Sequence, residues 1–292
     1  MGGTGPARNQ LPTRSARCDV LPMKILLLAV ATTIVLAGCV SLEDTVTTQA
    51  TPNVTYAGPD DLTLHGYLAL PDSALADSDA GPYPAVLMIH EWWGLNQDVT
   101  ILADALAAEG YVVLAPDAFR GRFASAVPQA ILMNQSTPTE QIYADLDAAL
   151  AFLMAHERVD SRRVATMGFC FGGRQSMHLG IRAEGLAAVI TLYGSGLITD
   201  PAQMGRMADN APVLGIFGED DSSIPIRDVE AFGRALDDVG ARHTITIYPG
   251  VGHAFVKSSN YRDDDAPGRA WREVVGFLDR EVKERAGGAD AR

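Results

Sequence analysis

Short apolar runs recur along the chain and are separated by stretches with helical periodicity. The runs at residues 85–89, 111–115, 186–193, 213–217 and 244–248 consist mainly of apolar and β-branched residues. A strand that is covered by helices on both faces has this composition, because none of its positions faces water. The runs therefore predict buried strands of a mostly parallel sheet.

The stretches between these runs predict helices. Apolar residues recur at helical spacing in 99–108, which ends before Gly110, and again in 225–239 and 267–284. A further helix is predicted to begin at Thr137-Pro138-Thr139-Glu140, which has the sequence of a capping box with proline at the first helical position. Buried strands that alternate with amphipathic helices predict an α/β fold with helices on both faces of the sheet.

The start of the fold has a different pattern. Polar and apolar residues alternate in 54–56 and 62–70, which predicts an antiparallel hairpin and a sheet of about seven to eight strands in all. Residues 71–84 are rich in Pro, Ser, Asp and Gly and predict a surface loop. Residues 120–137 are a candidate loop over the functional site, and the sequence leaves open whether they form a lid.

One segment joins a strand to a helix through a single cysteine. Residues 163–174 begin as a buried strand, continue as Gly168-Phe169-Cys170-Phe171-Gly172 and then open a helix. This is the spacing of a nucleophile elbow, with cysteine in place of serine. The two glycines leave room for a sharp turn, and the positive end of the following helix favours a thiolate. Because buried cysteine is common and usually inert, the motif needs support from the rest of the chain.

That support comes from polar residues placed after other apolar runs. Glu91 follows the run at 85–89, Asp220 and Asp221 follow 213–217, and His253 follows 244–248. The carboxyl ends of parallel strands meet at one edge of a sheet, so these groups are expected to lie near Cys170. Their order along the chain, nucleophile then acid then histidine, is that of the α/β-hydrolases, and the spacing leaves both aspartates open as the acid.

A cysteine, a histidine and a carboxylate suit acyl transfer. The histidine accepts the thiol proton and later returns it to the leaving oxygen, while the carboxylate holds the imidazole in the useful tautomer. Backbone N–H groups must also meet the oxyanion, and the predicted donors are those of Phe171 and Trp92. No metal or other cofactor is predicted, because no second histidine follows His90-Glu91 at metalloprotease spacing.

The length of the chain indicates one large domain, and its charge argues against nucleic-acid binding. The 292 residues are 47% hydrophobic, which suits one large α/β domain. The formal net charge is −13 and no basic block is present, so nucleic-acid binding is not expected.

The N-terminus predicts export. The apolar run at 25–36 is short for a transmembrane helix and is typical of a signal peptide. It leads into Leu36-Ala37-Gly38-Cys39, which resembles a bacterial lipobox and predicts lipidation of Cys39 after cleavage; a plain signal peptide or an uncleaved anchor are the alternatives. The predicted product is a membrane-anchored lipoprotein of the cell envelope. Cys170 would then be the one thiol left without a disulfide partner.

The chain as a whole resembles the dienelactone hydrolase family. The matching segments are His90-Glu91-Trp92-Trp93-Gly94, residues 116–119, the elbow, residues 218–225 and residues 250–255. The resemblance implies an α/β-hydrolase that opens small esters or lactones with a Cys170-His253-Asp221 triad. Within that family's spacing Asp221 is the acid, and Glu91 contacts the resting thiol and helps to deprotonate it when substrate enters.

The resemblance also implies residues that hold the substrate. Lys257 stands where the family has an arginine that binds a substrate carboxylate, and Arg120 and Arg122 flank the expected position of a second one. Lysine keeps the charge but not the bidentate geometry of arginine. Trp93, with Trp92, is as compatible with a substrate wall as with the core. The substrate is expected to be a small ester or lactone.

These observations divide the chain into four parts. The expected parts are a signal peptide (1–38, in which 1–22 resemble an over-extended start before Met23), a lipidated tether (39–53), the catalytic domain (54–285) and a flexible tail (286–292). The competing hypothesis is a lipoprotein with this fold that binds or scaffolds without turnover. The complete set Glu91, Cys170, Asp221 and His253 favours the enzyme.

Overall fold

The structure is a computed structural model, and it describes residues 1–3, 48–77, 81–204, 207 and 211–284. The chain divides into two compact units, residues 1–41 and 42–292. Apart from residues 1–3, the predicted signal peptide lies outside the described residues, as do Cys39 and the terminal tail. No helix in the described ranges combines the length and the apolar character needed to span a bilayer.

One sheet dominates the second unit. Within the described residues it has eight strands, and the order across the sheet is β1-β2-β4-β3-β5-β6-β7-β8. The strands, numbered along the chain, are Val54–Ala57, Thr63–Ala69, Tyr83–Ile89, Val112–Pro116, Val159–Phe169, Leu186–Leu192, Val213–Gly218 and His243–Tyr248. β1 and β2 form the antiparallel part, and every pairing from β4 to β8 is parallel. The predicted N-terminal hairpin and mostly parallel sheet are confirmed.

Helices cover this sheet. Those described are, from α1 to α8, Asp72–Ala76, Gln97–Ala108, Val127–Ser136, Thr139–Ala155, Phe171–Arg182, Pro201–Met204, Ile226–Asp238 and Ala266–Leu278. The chain continues from α8 into a π-helical turn at Asp279–Lys283 and also contains a short 3₁₀ turn at Pro59–Asp61. In the strand order β4 lies on one side of β3, and β5 to β8 follow one another on the other side. The predicted α/β-hydrolase fold is confirmed.

Burial explains why the central strands are largely apolar. All seven residues of β6 and all five of β4 are buried, as expected for strands with helices above and below them. The edge strand β8 has a half-exposed pattern, because β7 is its one partner in the sheet. The core therefore lies on both sides of the central strands, whose carboxyl ends reach a single edge.

One local prediction, the capping box, is wrong, and two segments considered as loops contain helices. Residues 120–137 are not simply a loop, because α3 occupies Val127–Ser136 and buries Ala130 and Met133. The predicted capping box at Thr137 is also absent, since α4 begins without a side-chain cap and the Thr137 hydroxyl donates to the Met133 carbonyl at 2.6 Å. Thr137 therefore ends the preceding helix and does not start the next. In the segment predicted as the 71–84 loop, residues 72–76 form the short helix α1 and β3 begins at Tyr83.

Candidate active site

Cys170 occupies a strained turn between β5 and α5. Its backbone has φ 53° and ψ −111°, a conformation that non-glycine residues rarely adopt and that is concentrated at functional sites. The Cys170 amide donates to the Leu192 carbonyl at 3.0 Å, which ties the turn to the end of β6. Because Phe171 is the first residue of α5, its N–H has no acceptor within the helix.

The two glycines of the elbow are required by close backbone contacts. A Cβ on Gly168 would lie 2.2 Å from the carbonyl carbon of Gly172, and one on Gly172 would lie 2.1 Å from the Ile89 carbonyl oxygen. Backbone atoms cannot move aside as the end of a flexible side chain can. The sequence-based interpretation of these glycines is confirmed, and the contact with Ile89 presses α5 against the end of β3.

His253 and Asp221 meet at the edge where β7 and β8 end. Nδ1 of His253 lies 2.6 Å from Oδ2 of Asp221. Asp221 is buried, whereas Asp220 is exposed. Burial alone would raise the pKa of Asp221, but hydrogen bonds from His253 and Ser223 outweigh it and lower this pKa below its ordinary value. Of the two aspartates that the sequence left open, the structure brings Asp221 to the histidine.

His253 also interacts with Cys170. Burial disfavours the imidazolium form of His253, but hydrogen bonds with Asp221 and Cys170 more than compensate and raise its pKa to about 10. The edge of the buried Tyr193 ring packs against the imidazole, with ring centroids 5.4 Å apart and an interplanar angle of 63°. The imidazole thus interacts with a carboxylate and a thiol and packs against an aromatic ring.

Glu91 follows β3 and has an unusual charge environment. Burial raises the pKa of its carboxyl to about 7. The positive charges of His253 and Lys257 and a hydrogen bond from the Trp93 side chain act in the opposite direction, whereas Asp98 adds to the increase. Near neutral pH this carboxyl therefore changes its protonation state easily, in the same electrostatic environment as His253.

His90 has a structural role that the sequence did not reveal. Its side chain is fully buried, Nδ1 lies 2.6 Å from the Glu91 carbonyl oxygen, and Nε2 accepts a 3.1 Å hydrogen bond from the Ala118 amide. Since Nε2 accepts, Nδ1 carries the proton and donates to Glu91. Burial lowers the pKa of His90, so the ring is neutral and links the ends of β3 and β4. In the sequence His90 stood out only as a metal-ligand candidate, and no signal there revealed this link.

Of the predicted substrate-binding cations, the lysine lies near the candidate site, whereas the two arginines contact other parts of the fold. Lys257 lies close enough to Glu91 to lower the pKa of that carboxyl. The Arg120 guanidinium instead forms a two-pronged ion pair with buried Asp145, at 2.7 and 2.8 Å. Arg122 donates to the Phe119 carbonyl and to hydroxyls at the junction of α3 and α4. The structure thus brings Lys257 to the candidate site and engages both arginines in contacts with other parts of the fold.

The aromatic residues after β3 stand at the boundary of core and solvent. Trp92 and Trp93 are half-buried and pack edge to face, with ring centroids 5.4 Å apart. Both pack against the hydrophobic core. In the described part of the chain, no group of three or more His, Cys, Asp or Glu side chains is arranged to hold a metal ion. This edge of the sheet offers a thiol, an imidazole and two carboxyls from Cys170, His253, Asp221 and Glu91.

Comparison with known proteins places this geometry in a family. A sequence model of the dienelactone hydrolase family matches residues 64–282. A protein of Escherichia coli K12 named "Putative carboxymethylenebutenolidase" is 30% identical over 223 residues, which cover 70% of this chain and 81% of that protein. A Synechocystis protein of the same name is 29% identical, with 76% of this chain and 94% of that protein covered.

Solved structures agree with the sequence comparison. A crystal structure described as a "Putative Dienelactone Hydrolase" from Klebsiella pneumoniae superposes with a TM-score of 0.64 at 27% identity, covering 77% of this chain and 97% of that one. The match therefore extends over almost the whole of the related protein. The chain belongs to the dienelactone hydrolase family, a family of ester and lactone hydrolases with the α/β-hydrolase fold.

Proposed function

We propose that this protein hydrolyses small esters or lactones with Cys170 as the nucleophile, His253 as the base and Asp221 as its orienting acid. The observation that carries the proposal is the position of His253, which hydrogen-bonds Asp221 through Nδ1 and also interacts with the Cys170 thiol. The raised pKa of His253, to which Asp221 and Cys170 both contribute, favours an imidazolium that can hold the thiol proton beside the sulfur. Nucleophile, base and orienting carboxylate are the parts that acyl transfer requires.

The first half of the reaction forms a thioester. The Cys170 sulfur attacks the substrate carbonyl carbon, a C–S bond forms, and the carbonyl electrons move onto oxygen. When this tetrahedral species collapses, the C–O bond to the leaving group breaks and the His253 imidazolium protonates the departing alkoxide. In a lactone the leaving hydroxyl stays attached to the acyl group; in an open ester it leaves as an alcohol.

The second half releases the acid. His253 takes a proton from a water molecule as that water attacks the thioester carbonyl. Collapse then breaks the C–S bond, yields the carboxylic acid and restores the sulfur with its imidazolium partner. The oxyanion in both halves is assigned to the backbone N–H groups of Phe171 and Trp92. The strained elbow supports Phe171 in this role, because its amide is the first of α5 and has no helical acceptor.

Glu91 is proposed to assist formation of the thiolate. A carboxyl with a pKa of about 7 exists in both protonation states under ordinary conditions, so it can accept a proton and release it again. It shares its charge environment with His253, and both Glu91 and Cys170 act electrostatically on Tyr193. Glu91 is therefore a second proton acceptor in the neighbourhood of the thiol.

Substrate recognition is proposed to involve Lys257 and Trp93. Lys257 supplies positive charge near Glu91, and the half-buried Trp93 offers an apolar wall. For Arg120 and Arg122 to join them, each would have to give up contacts that it makes with other parts of the fold. We assign the recognition of any substrate carboxylate to Lys257 first, because its charge acts on Glu91 in the candidate site.

The location of the enzyme is proposed from the sequence of the N-terminal segment. Cleavage before Cys39 and lipidation of its thiol would tether the domain to a membrane of the cell envelope. The later part of the predicted tether 39–53 is bound to the domain, since the Ala50 amide donates to the Leu95 carbonyl and the Thr48 carbonyl accepts from Gln97. A tether places the active site near the surface while the domain faces the aqueous phase.

The test is a panel of esters and lactones, with and without a carboxylate, assayed with the wild-type protein and with Cys170→Ala. We expect the wild type to hydrolyse p-nitrophenyl acetate and the variant to lose turnover while its circular dichroism and melting curve stay the same. A folded Cys170→Ala variant with retained turnover would refute the nucleophile. A wild type inactive on the whole panel would favour the scaffold hypothesis. A preference for uncharged substrates would count against Lys257.

A further inference from the structure

The two carboxylate oxygens of Asp221 have unequal surroundings. Oδ1 accepts three hydrogen bonds, from the Ser223 amide at 2.9 Å, the Ser223 hydroxyl at 2.6 Å and the Ile224 amide at 3.2 Å. Oδ2 receives the 2.6 Å contact from Nδ1 of His253. Three donors on one oxygen fix the plane of the carboxylate and leave the other oxygen for the histidine.

The Ser223 hydroxyl touches both members of this pair. Its oxygen lies 2.6 Å from Oδ1 of Asp221 and 3.3 Å from Nδ1 of His253. A hydroxyl has one proton and two lone pairs, and a carboxylate can only accept, so the proton of Ser223 points to Asp221. The Nδ1 proton of His253 points to Oδ2. A lone pair of the Ser223 oxygen is then the group that faces this Nδ1–H as a second, weaker acceptor.

We propose that Ser223 is a positioning residue that locks both the Asp221 carboxylate and the His253 ring through its one hydroxyl. This inference rests on the proposed function, in which the orientation of the imidazole controls the proton transfers to and from Cys170. The hydroxyl keeps Oδ2 directed at Nδ1 and favours the tautomer with the proton on Nδ1. Nε2 is thereby left to exchange the proton with the sulfur.

The positioning role of the Ser223 hydroxyl can be tested apart from the role of its backbone in the turn. The backbone amides of Ser223 and Ile224 hold Oδ1 in the loop after β7, and substitution by alanine leaves both of them in place. Ser223 is exposed, so loss of its hydroxyl opens no cavity in the core. The effect of Ser223→Ala is thus confined to the contacts of one oxygen atom.

The test compares Ser223→Ala, Ser223→Thr and the matched control Ser222→Ala in the full-length protein. Ser222 is the exposed neighbour in the same loop. We expect Ser223→Ala to lower kcat for p-nitrophenyl acetate by about threefold to tenfold, the range for one lost hydrogen bond, with little change in KM or melting temperature. Ser223→Thr keeps a hydroxyl and should restore most of the rate, and Ser222→Ala should match the wild type.

A spectroscopic measurement decides the same question without turnover. In the proton NMR spectrum the His253 Nδ1–H, held in a short bond to Asp221, should give a strongly downfield signal. We expect this signal to move or broaden in Ser223→Ala and to return in Ser223→Thr. A signal and a kcat unchanged in Ser223→Ala would overturn the inference. If the wild type had no hydrolase activity at all, the proposed function would fail, and the NMR comparison would still decide the role of Ser223.

Discussion

At the scale of single residues, the site contains two side chains whose pKa values are displaced for different reasons. Burial raises the pKa of Glu91 to about 7, whereas His253 reaches about 10 because its hydrogen bonds with Asp221 and Cys170 outweigh the effect of burial. The first displacement costs folding energy whenever Glu91 is ionised. The second stabilises the charged imidazolium. Both groups lie after strands of the sheet, Glu91 after β3 and His253 after β8.

The displaced pKa of Glu91 predicts a pH dependence of stability. Because the folded pKa of about 7 lies above the ordinary 4.5, this residue destabilises the protein progressively as pH rises from about 4.5 to 7. Glu91→Gln should remove that loss and be more stable than the wild type above neutral pH by about 1–3 kcal/mol. Urea unfolding of both proteins at about pH 5 and about pH 8 measures this difference in the free energy of unfolding.

The control for this prediction is Glu140→Gln, which alters an exposed carboxylate at the start of α4. This variant should follow the wild-type pH dependence. If Glu91→Gln lost as much free energy of unfolding as the wild type between the two pH values, burial of Glu91 would not be the cause.

The different positions of Asp220 and Asp221 predict that substituting them has unequal effects on activity. Asp221 holds His253 through a 2.6 Å contact, whereas Asp220 is exposed. Asp221→Asn should therefore lower kcat/KM by about 10²–10⁴, because an amide can hold the imidazole in the wrong tautomer. Asp220→Asn should stay within about twofold of the wild type. Steady-state kinetics of the two variants measures the difference, and the reverse order would reassign the acid to Asp220.

At the scale of elements, the site is assembled by contacts between the ends of strands. Gly172 presses the start of α5 against the Ile89 carbonyl, and His90 links the ends of β3 and β4 through its two ring nitrogens. These contacts hold the backbone beside both reacting groups, because His90 bonds the Glu91 carbonyl and α5 begins directly after Cys170. The geometry of the elbow therefore depends on residues that take no part in chemistry.

This dependence predicts a sharp difference between two glycines in helices. Gly172→Ala would place a Cβ 2.1 Å from the Ile89 carbonyl oxygen, so it should destabilise the protein by at least about 3 kcal/mol or prevent folding. Gly276→Ala in α8 is the matched control, since the nearest atom to its Cβ would be the end of Arg280 at 3.4 Å. This variant should be neutral or slightly more stable. Thermal unfolding tests both, and a stable Gly172→Ala protein would contradict the close-contact argument.

The elements also show which parts of the fold sequence patterns can predict. The central strands were predictable because burial on both faces removes polar residues from them. Helix α3 was missed because Ile131 and Leu132 are 41% and 67% exposed, so its apolar residues do not form one buried stripe. The capping box predicted at Thr137 is absent because a threonine between two helices has two choices. Its hydroxyl can accept from an amide of the next helix or donate to a carbonyl of the preceding one, and here it donates to Met133.

The candidate site, too, could be predicted from the sequence only in part. The elbow and the polar residues after β3, β7 and β8 were predictable, since strand ends of a parallel sheet share one edge. The pairing of Arg120 with Asp145 was not, because it depends on how α4 packs beside the loop after β4. The contacts of His90 and Ser223 were likewise invisible, because one polar side chain in a loop carries no periodic signal.

At the scale of the whole molecule, one sheet edge collects every group of the proposed mechanism. The family relationship covers residues 64–282, so the matched region includes Glu91, Cys170, Asp221 and His253 together. The N-terminal segment outside the match is proposed to determine location and not chemistry. The two functions are therefore expected to separate by mutation.

This separation can be tested with Cys39→Ser in a bacterial host that processes lipoproteins. The wild-type protein should fractionate with membranes and carry a lipid at Cys39, whereas the variant should lose the lipid and most of its membrane association. Its esterase activity per mole should stay unchanged, because Cys39 lies outside the matched domain. Membrane fractionation with intact-mass measurement gives both results. A wild type without lipid would refute the anchor.

The most direct test of the mechanism is intact-mass spectrometry of the protein during turnover of a slowly hydrolysed ester, followed by peptide mapping. The account predicts one acyl group per chain, attached as a thioester to Cys170, released by hydroxylamine and absent from Cys170→Ala. Hydrolysis that proceeds with no adduct on Cys170, or with the acyl group on a serine or lysine, would contradict it.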